Sequence, residues 1–462
     1  MTLQSCAQPL PPEAEASIKS RNPRPKPDLR KPVFIPKNYV FKRGPPGRYA
    51  VRILDSPGQP TKNYAIRNIE FYKKSADSVN EEFADSLSYH AAKILKVALR
   101  TWTILQNKPK KSHDFRLCSY NVLCQTTLEQ TKFLYARQDE RFLEWGYRSV
   151  KFEKELPALD ADVFCLQEVN LLHFKSFFLP LFKKLGFEGR FEQKPKRDDG
   201  CAIFFKSSVF KQVAYRRVDL FHSDDSTLNK PNVGQIIRLR HEPSKREICV
   251  ANTHLVFGKK LGATKFVQMA LMLAHLKVVL DKGSKADYVL CGDLNIEPFS
   301  DIYAFLIRKE LNLDKCVEAL MSGQDFFARE KSRPTLRIPA EVGLISDCTL
   351  AKKQPKSDAN SATKWTHGLD FVSVYNHLRP DKTRDMSTFH SKEALNPDFI
   401  FYSIEYVAEE RGVLQVKESG LKLLNRLELP NISEANAAFG PWPNKFTPSD
   451  HVPLLVDFAF VQ

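Results

Sequence analysis

The sequence predicts an α/β body built on mixed β-sheets, preceded by a disordered basic N-terminal tail. Three observations carry that reading. Short apolar runs of strand length recur from Phe115 to the C-terminus, helical periodicity lies between several of them, and proline and positive charge crowd the first quarter of the chain. The 462 residues are 42% hydrophobic, which suits a sizeable core and excludes wholesale disorder.

In chain order, residues 1–61 hold 12 of the 29 prolines, in stretches such as RNPRPKPDLRKP and KRGPPGRY. Proline and basic residues at this density cannot form a packed core, so a disordered tail is expected there. The charge follows the same division. Of a net +16, residues 1–112 carry 21 Lys+Arg against 9 Asp+Glu, and the remainder 49 against 45. That excess favours a polyanionic partner such as nucleic acid. Residues 62–112 read as a helical and linker segment, with a helix-like pattern across 79–105 and a linker at KPKKSHD, 108–114. Within it YHAAKIL (89–95) resembles a cap-binding-protein docking helix, except that Ile94 stands where that motif wants Leu. This N-terminal segment is therefore the candidate contact for a protein partner.

Residues 113–462 form the expected catalytic body. Its strand-like runs are FRLCSYNVL, DVFCLQEV, CAIFFK, NVGQIIRLR, REICVANTHLV, YVLCGDLN, DFIFYS and VPLLVDFAFV, and TKFVQMALMLAHLKVVL has a helical apolar face. The polar segment 312–386 lacks a clean period and reads as loops and short helices decorating the core. Nine cysteines are scattered singly with no CxxC, which predicts a reducing compartment and no structural zinc. No run of 18 apolar residues and no apolar signal core is present, and Glu13 and Glu15 count against a mitochondrial presequence. These features predict a cytoplasmic protein, with the nucleus as the alternative and no membrane partner.

The runs share one grammar: each brings a polar residue to a strand end. CGDLNIEP (291–298) offers Asp293 and Asn295, which on an extended strand share a face, while Gly292 leaves room for something to approach the backbone. The competing reading is an ordinary turn, since Gly, Asp, Asn and Pro are turn formers. SYN ends at Asn121, LQEV carries Glu168, NTHL carries His254, DFIFYS begins at Asp398, and SDH supplies Asp450 and His451. Buried carboxylates are costly unless paired or on a metal. Glu168, Asp293, Asp398 and Asp450 converging at one rim would suit Mg²⁺, a hard cation that prefers few oxygen ligands completed by water and phosphate.

The order SYN, LQEV, DGCAIFFK, NTHL, GDLN, DFIFYS and SDH resembles the endonuclease/exonuclease/phosphatase superfamily, over about residues 113–462. SYNVLCQ and TFHSKEALNPDFIFYS are most similar to its deadenylase-related branch of nocturnin and Angel proteins, and to Angel above all. The resemblance implies a DNase I-like fold, a four-layer sandwich of two mixed β-sheets flanked by helices. It also implies a Mg²⁺ cofactor, with Mn²⁺ as an alternative, held by Glu168, Asn121 and Asp450. Asp293 would activate water, Asn295 and His254 would hold phosphate oxygens, and His451 would neutralise charge on phosphorus. Asp398 or Asp450 would orient that imidazole. The departures are local: DFIF stands where DYIF is usual, and Asn396–Pro397 precede Asp398.

The activity expected first is a metal-dependent 3′–5′ exoribonuclease of deadenylase type acting on RNA 3′ ends. An RNA 2′,3′-cyclic phosphatase, or a phosphatase of a small phosphorylated metabolite, is the alternative. Lys196 and Arg197 in KPKRDDG are candidate backbone contacts, competing with a charged hairpin turn. Phe389, or an aromatic from 312–386 such as Trp365, would supply the base-stacking wall an exonuclease needs.

Overall fold

The computed structural model describes residues 51–54, 69–70, 100, 102–104, 113–223, 227–325, 364–377, 383–410, 413–438 and 440–461. Two large mixed sheets face each other. Sheet I has eight strands in the order Ile69–Glu70, Trp102–Ile104, Leu421–Leu427, Leu454–Phe460, Phe115–Asn121, Val163–Asn170, Asp199–Lys206, Phe187–Gln193. Sheet II has six, in the order Phe371–Ser373, Asp398–Ser403, Asp287–Asp293, Glu247–His254, Val233–His241, Phe210–Asp219.

Period-2 alternation explains the layers. In sheet I, Leu117, Val163, Cys165, Ile203 and Phe205 point into the core shared with sheet II. Their neighbours Cys118, Phe164, Leu166, Ala202 and Phe204 point the other way, where Phe152 and Leu156 of the helix Trp145–Ala158 and Phe182 of Leu179–Lys184 cover them. On the far side, the helix Gly262–Asp281 packs on the strands of sheet II. Among the described residues it is the one helix long and apolar enough to cross a membrane, and 83% of its most apolar window is buried inside the body. It is a core helix, and the fourth layer.

A buried polar clasp joins the sheets within their shared core. Asn252 of sheet II donates from Nδ2 to the Leu166 and Ala202 carbonyls of sheet I, both at 3.1 Å, and accepts from Gln167 Nε2 at 2.8 Å. A wholly apolar interface tolerates sliding; these directional bonds hold one register.

The N-terminal expectations change in two places. Most of 1–61 and of the 79–105 helix lies outside the described residues, as do YHAAKIL and the linker up to Ser112. Within the tail, however, Val51–Leu54 is a strand pairing in parallel with Val413–Lys417. Within the expected helix, Trp102–Ile104 is a strand of sheet I, antiparallel to Leu421–Leu427. Threonine, tryptophan and isoleucine favour a strand once an edge is offered, and tertiary context overrides the helical period. The described part of 312–386 also departs from the loops and short helices expected, because Phe371–Ser373 forms the edge strand of sheet II.

Arg100 anchors this N-terminal strand to the body. Its guanidinium donates to the carbonyls of Glu428 (2.7 Å), Leu427 (2.9 Å) and Pro453. Arg100→Ala would leave these carbonyls without that donor, and is expected to cost about 1–3 kcal/mol of stability. Urea unfolding measures it, and an unchanged midpoint would show that the N-terminal strand contributes nothing to the body.

Candidate active site

The register of sheet II sets the first half of the site. His254 pairs with Asp293, and Asp293 with Asp398, so these residues stand in a row across neighbouring strand ends. Gly292 is required there for a reason other than ligand access. Its φ is +139°, and a Cβ would lie 1.9 Å from the Thr253 carbonyl of the adjacent strand. What approaches the backbone is the neighbouring strand. Asn295 lies past the strand end with φ +49°, and its N–H donates to Asp293 Oδ1 at 2.9 Å. The turn and the site are one object, and the two side chains do not share a strand face.

Sheet I supplies the second half. Asn121 ends its central strand and donates from Nδ2 to Glu168 Oε1 at 3.1 Å and to Asp293 Oδ2 at 3.0 Å, while its Oδ1 accepts from Leu123 N–H at 2.9 Å. Glu168 sits at a bulge between Leu166 and Val169, with φ +56°. A bulge re-aims one side chain out of the alternation, here toward the rim. Its Oε2 accepts from Cys124 N–H at 3.0 Å. Burial pushes the Glu168 carboxyl above its ordinary range, against the pull of Lys194, with Asp199 and Asp450 adding to the rise. Asp293 is pushed up to about 7, by burial first and then by Asp398.

The histidines are driven apart by their neighbours. His451 Nδ1 lies 2.7 Å from Asp398 Oδ2, which also accepts from Ser387 Oγ at 2.6 Å. Burial alone would lower the His451 pKa, but Asp398, Asp450 and Asp293 outweigh it and hold the imidazolium well above the usual range. His254 goes the other way. Burial, the Lys194 ammonium and His451 depress it well below the ordinary value, and the ring is neutral. Lys194 Nζ is 3.2 Å from His254 Nδ1 and ion-paired to Asp199 at 2.6 Å, and the Asn295 amide nitrogen is 3.1 Å from His254 Nε2.

Asp398 is thus the carboxylate seated on His451. Asp450 accepts from the Tyr135 hydroxyl at 2.9 Å through Oδ2, while its buried Oδ1 has no hydrogen-bond partner. That oxygen, 3.9 Å from His451 Nε2, and Glu168, whose carboxylate feels the Asp450 charge and whose oxygens each accept a single hydrogen bond, are oxygen donors of the kind that suits a hard divalent cation. A trio, Asp293, Asp398 and His451, brings its donor atoms within 4.8 Å of one another. In that trio the short Asp398–His451 contact already occupies the imidazole with a proton, so it reads as an ion-paired relay.

The substrate-side expectations fare differently. Lys196 and Arg197 are exposed on the hairpin, with Lys196 Nζ 5.2 Å from the Phe221 ring and Arg197 3.8 Å from Asp199. The cation that reaches the site is Lys194. Only its burial distinguishes it from its neighbours in KPKR, and nothing in the local sequence signals that. Phe389 is fully buried against Trp442 at 5.9 Å, and Trp365 is buried against Phe266 at 5.3 Å. Neither ring faces solvent, so neither forms a stacking wall.

Arg148 is a second residue the motifs did not disclose. Fully buried, it donates to the carbonyls of Val122 and Pro448, both at 2.6 Å, to that of Leu123, and to Gln125 Oε1 at 2.9 Å. It therefore ties the segment after Asn121 to the one that carries Asp450 and His451.

The Endonuclease/Exonuclease/phosphatase family profile matches residues 118–451, a span that holds every site residue named above. The chain belongs to that family. It is 34% identical to protein angel homolog 2 of Homo sapiens over 376 residues, covering 75% of this chain and 69% of that protein. It is 28% identical to human protein angel homolog 1 over 422 residues, covering 75% and 63%. The crystal structure of ANGEL2, described as a 2′,3′-cyclic phosphatase, superposes with a TM-score of 0.64 at 32% identity, covering 78% of this chain and 97% of that one. A second ANGEL2 structure, in complex with adenosine-2′,3′-vanadate, gives a TM-score of 0.65 with 98% of that chain covered. The chain is a phosphoesterase of this Angel-like branch, and the family's chemistry is metal-dependent hydrolysis.

Arg148→Ala would strip the donor from main-chain carbonyls on both site segments, and is expected to destabilise the fold by more than about 3 kcal/mol. Thermal unfolding decides it, and a loss under about 1 kcal/mol would mean that the two segments hold without the arginine.

Proposed function

We propose that the protein hydrolyses ribose 2′,3′-cyclic phosphates, at RNA 3′ ends or on nucleotides. The observation that carries this reading is the likeness to ANGEL2 over nearly the whole of that chain, together with the adenosine-2′,3′-vanadate bound in one of its structures. Phe389 and Trp365, the rings named for the exoribonuclease expectation, are both enclosed in the core.

The site residues take complementary parts. Asp293, with its carboxyl pushed to about 7, accepts the proton of the attacking water. His451, charged and fixed by Asp398 at Nδ1, presents Nε2–H to a phosphoryl oxygen. Asn295 and neutral His254, side by side at 3.1 Å, contact the remaining oxygens. Glu168 and Asp450 are the residues that would hold a divalent cation, Mg²⁺ or Mn²⁺, with Asn121 orienting Glu168. When bound, that cation supplies Lewis-acid neutralisation of phosphoryl charge. One water breaks a ring P–O bond and leaves a monoester beside a free hydroxyl. A second frees inorganic phosphate and leaves the vicinal diol.

Two substrates offered in parallel with Mg²⁺ and resolved by mass test the reading. An RNA ending in a 2′,3′-cyclic phosphate is expected to become a vicinal diol without shortening, and an oligoadenylate with a 3′-hydroxyl to stay full length. Stepwise shortening of the oligoadenylate, with the cyclic end untouched, would return the exoribonuclease.

Asp293→Asn keeps the shape of the side chain and removes the base. It is expected to lower kcat by about 10²–10⁴ while substrate still binds. Glu168→Gln and EDTA are each expected to abolish turnover, because an amide is a poor ligand for a hard cation. Near-normal turnover in Glu168→Gln would take that residue out of the metal set.

A further inference from the structure

Three residues beyond His254 the chain surfaces at Phe257, whose side chain is 66% exposed. A solitary exposed apolar residue is ordinary on a protein surface. Phe257 differs from other exposed apolar side chains such as Leu172 and Val213 in what holds it and in where it is held. On its N-terminal side, Leu255 N–H donates to the Asp293 carbonyl at 3.0 Å and Val256 N–H to Gln268 Oε1 at 2.9 Å, and both side chains are buried. On its C-terminal side, the Lys259 carbonyl accepts from Ser322 Oγ at 3.2 Å. The Lys259 ammonium pairs with Glu393 Oε2 at 2.6 Å, in the segment that leads to Asp398. The aromatic ring thus stands on a short stretch fastened at both ends to the elements that carry Asp293 and Asp398.

Three residues of chain span at most about 10 Å, so Phe257 is within one nucleotide's reach of the phosphate-side His254. An exposed aromatic within that reach of a phosphate site is suited to a flat π-face, and every nucleobase has one. We infer that Phe257 is the stacking platform for the base of the terminal nucleotide. The substrate class is then a nucleotide or RNA end, and a base-free sugar phosphate is a poor substitute. The inference rests on the nucleotide-directed reading of the site proposed above. It gives Phe257 the part expected of Phe389 and Trp365.

Calorimetric titration of the full chain in Mg²⁺, every sample also carrying Asp293→Asn so that the monoester is not turned over, with adenosine 2′-monophosphate and with inorganic phosphate as probes, tests the platform. Phe257→Ala is expected to weaken nucleotide binding roughly 5- to 150-fold and to leave phosphate binding unchanged, with Phe257→Trp restoring the nucleotide. Equal affinity for the nucleotide with Phe257 and with Phe257→Ala would overturn the inference. So would an equal loss of both ligands, or a chain with Phe257 intact that binds the nucleotide no better than phosphate. Hydrolysis of adenosine 2′,3′-cyclic phosphate by the wild type is followed separately. A wild type that leaves the ring closed yet binds the nucleotide through Phe257 would sink the proposed activity and keep the platform.

Discussion

A side-chain amide, alongside the His451–Asp398 and Lys194–His254 contacts, holds the two halves of this site together. Asn121 Nδ2 donates to Glu168 Oε1 in its own sheet and to Asp293 Oδ2 in the other, at 3.1 and 3.0 Å. Two buried carboxylates repel each other and resist desolvation, so their approach needs donors placed between them. The amide satisfies both, and its own oxygen is fixed by Leu123 N–H. This geometry requires the sheets to keep one register, which the Asn252 clasp to Leu166, Ala202 and Gln167 provides a few residues behind the rim. The register of the core and the spacing of the site's carboxylates are therefore one constraint.

Around that amide, identical residue types acquire opposite states. His451 faces Asp398, Asp293 and Asp450 and is held charged, while His254 faces Lys194 and is held neutral. Phosphoester hydrolysis benefits from that division: a cation opposite the developing phosphoryl charge, and a neutral ring that contacts oxygen without adding another charge to a crowded site. Asp293, poised near neutrality between them, is the carboxylate best matched to moving a proton. The cost of gathering so many ionisable groups is borne by their pairing with one another, and Arg148 fixes the backbone on which two of them ride.

Polypeptide outside the family body also contributes. Trp102–Ile104 extends sheet I and Arg100 closes the end of the Leu421–Leu427 strand, so the body extends to residues N-terminal to the 113–462 expectation. A helix-like period across 79–105 pointed elsewhere, because an amphipathic pattern records which residues want burial and not which sheet edge is free to receive them.

What the sequence determined by itself is which polar residues stand at or beside the strand ends. Asn121, Glu168, His254, Asp293, Asn295, Asp398, Asp450 and His451 were legible because each follows or opens an apolar run, and alternation along a run is a local property. The strand runs of the body and the long helix were legible for the same reason. Tertiary structure alone decided whatever depends on residues far apart in the chain. It assigned Asp398 rather than Asp450 to His451, chose buried Lys194 over exposed Lys196 and Arg197, and enclosed Phe389 and Trp365 while leaving Phe257 in solvent. Burial and charge state are set by what folds over a residue, and those covering groups are not written beside it in the chain.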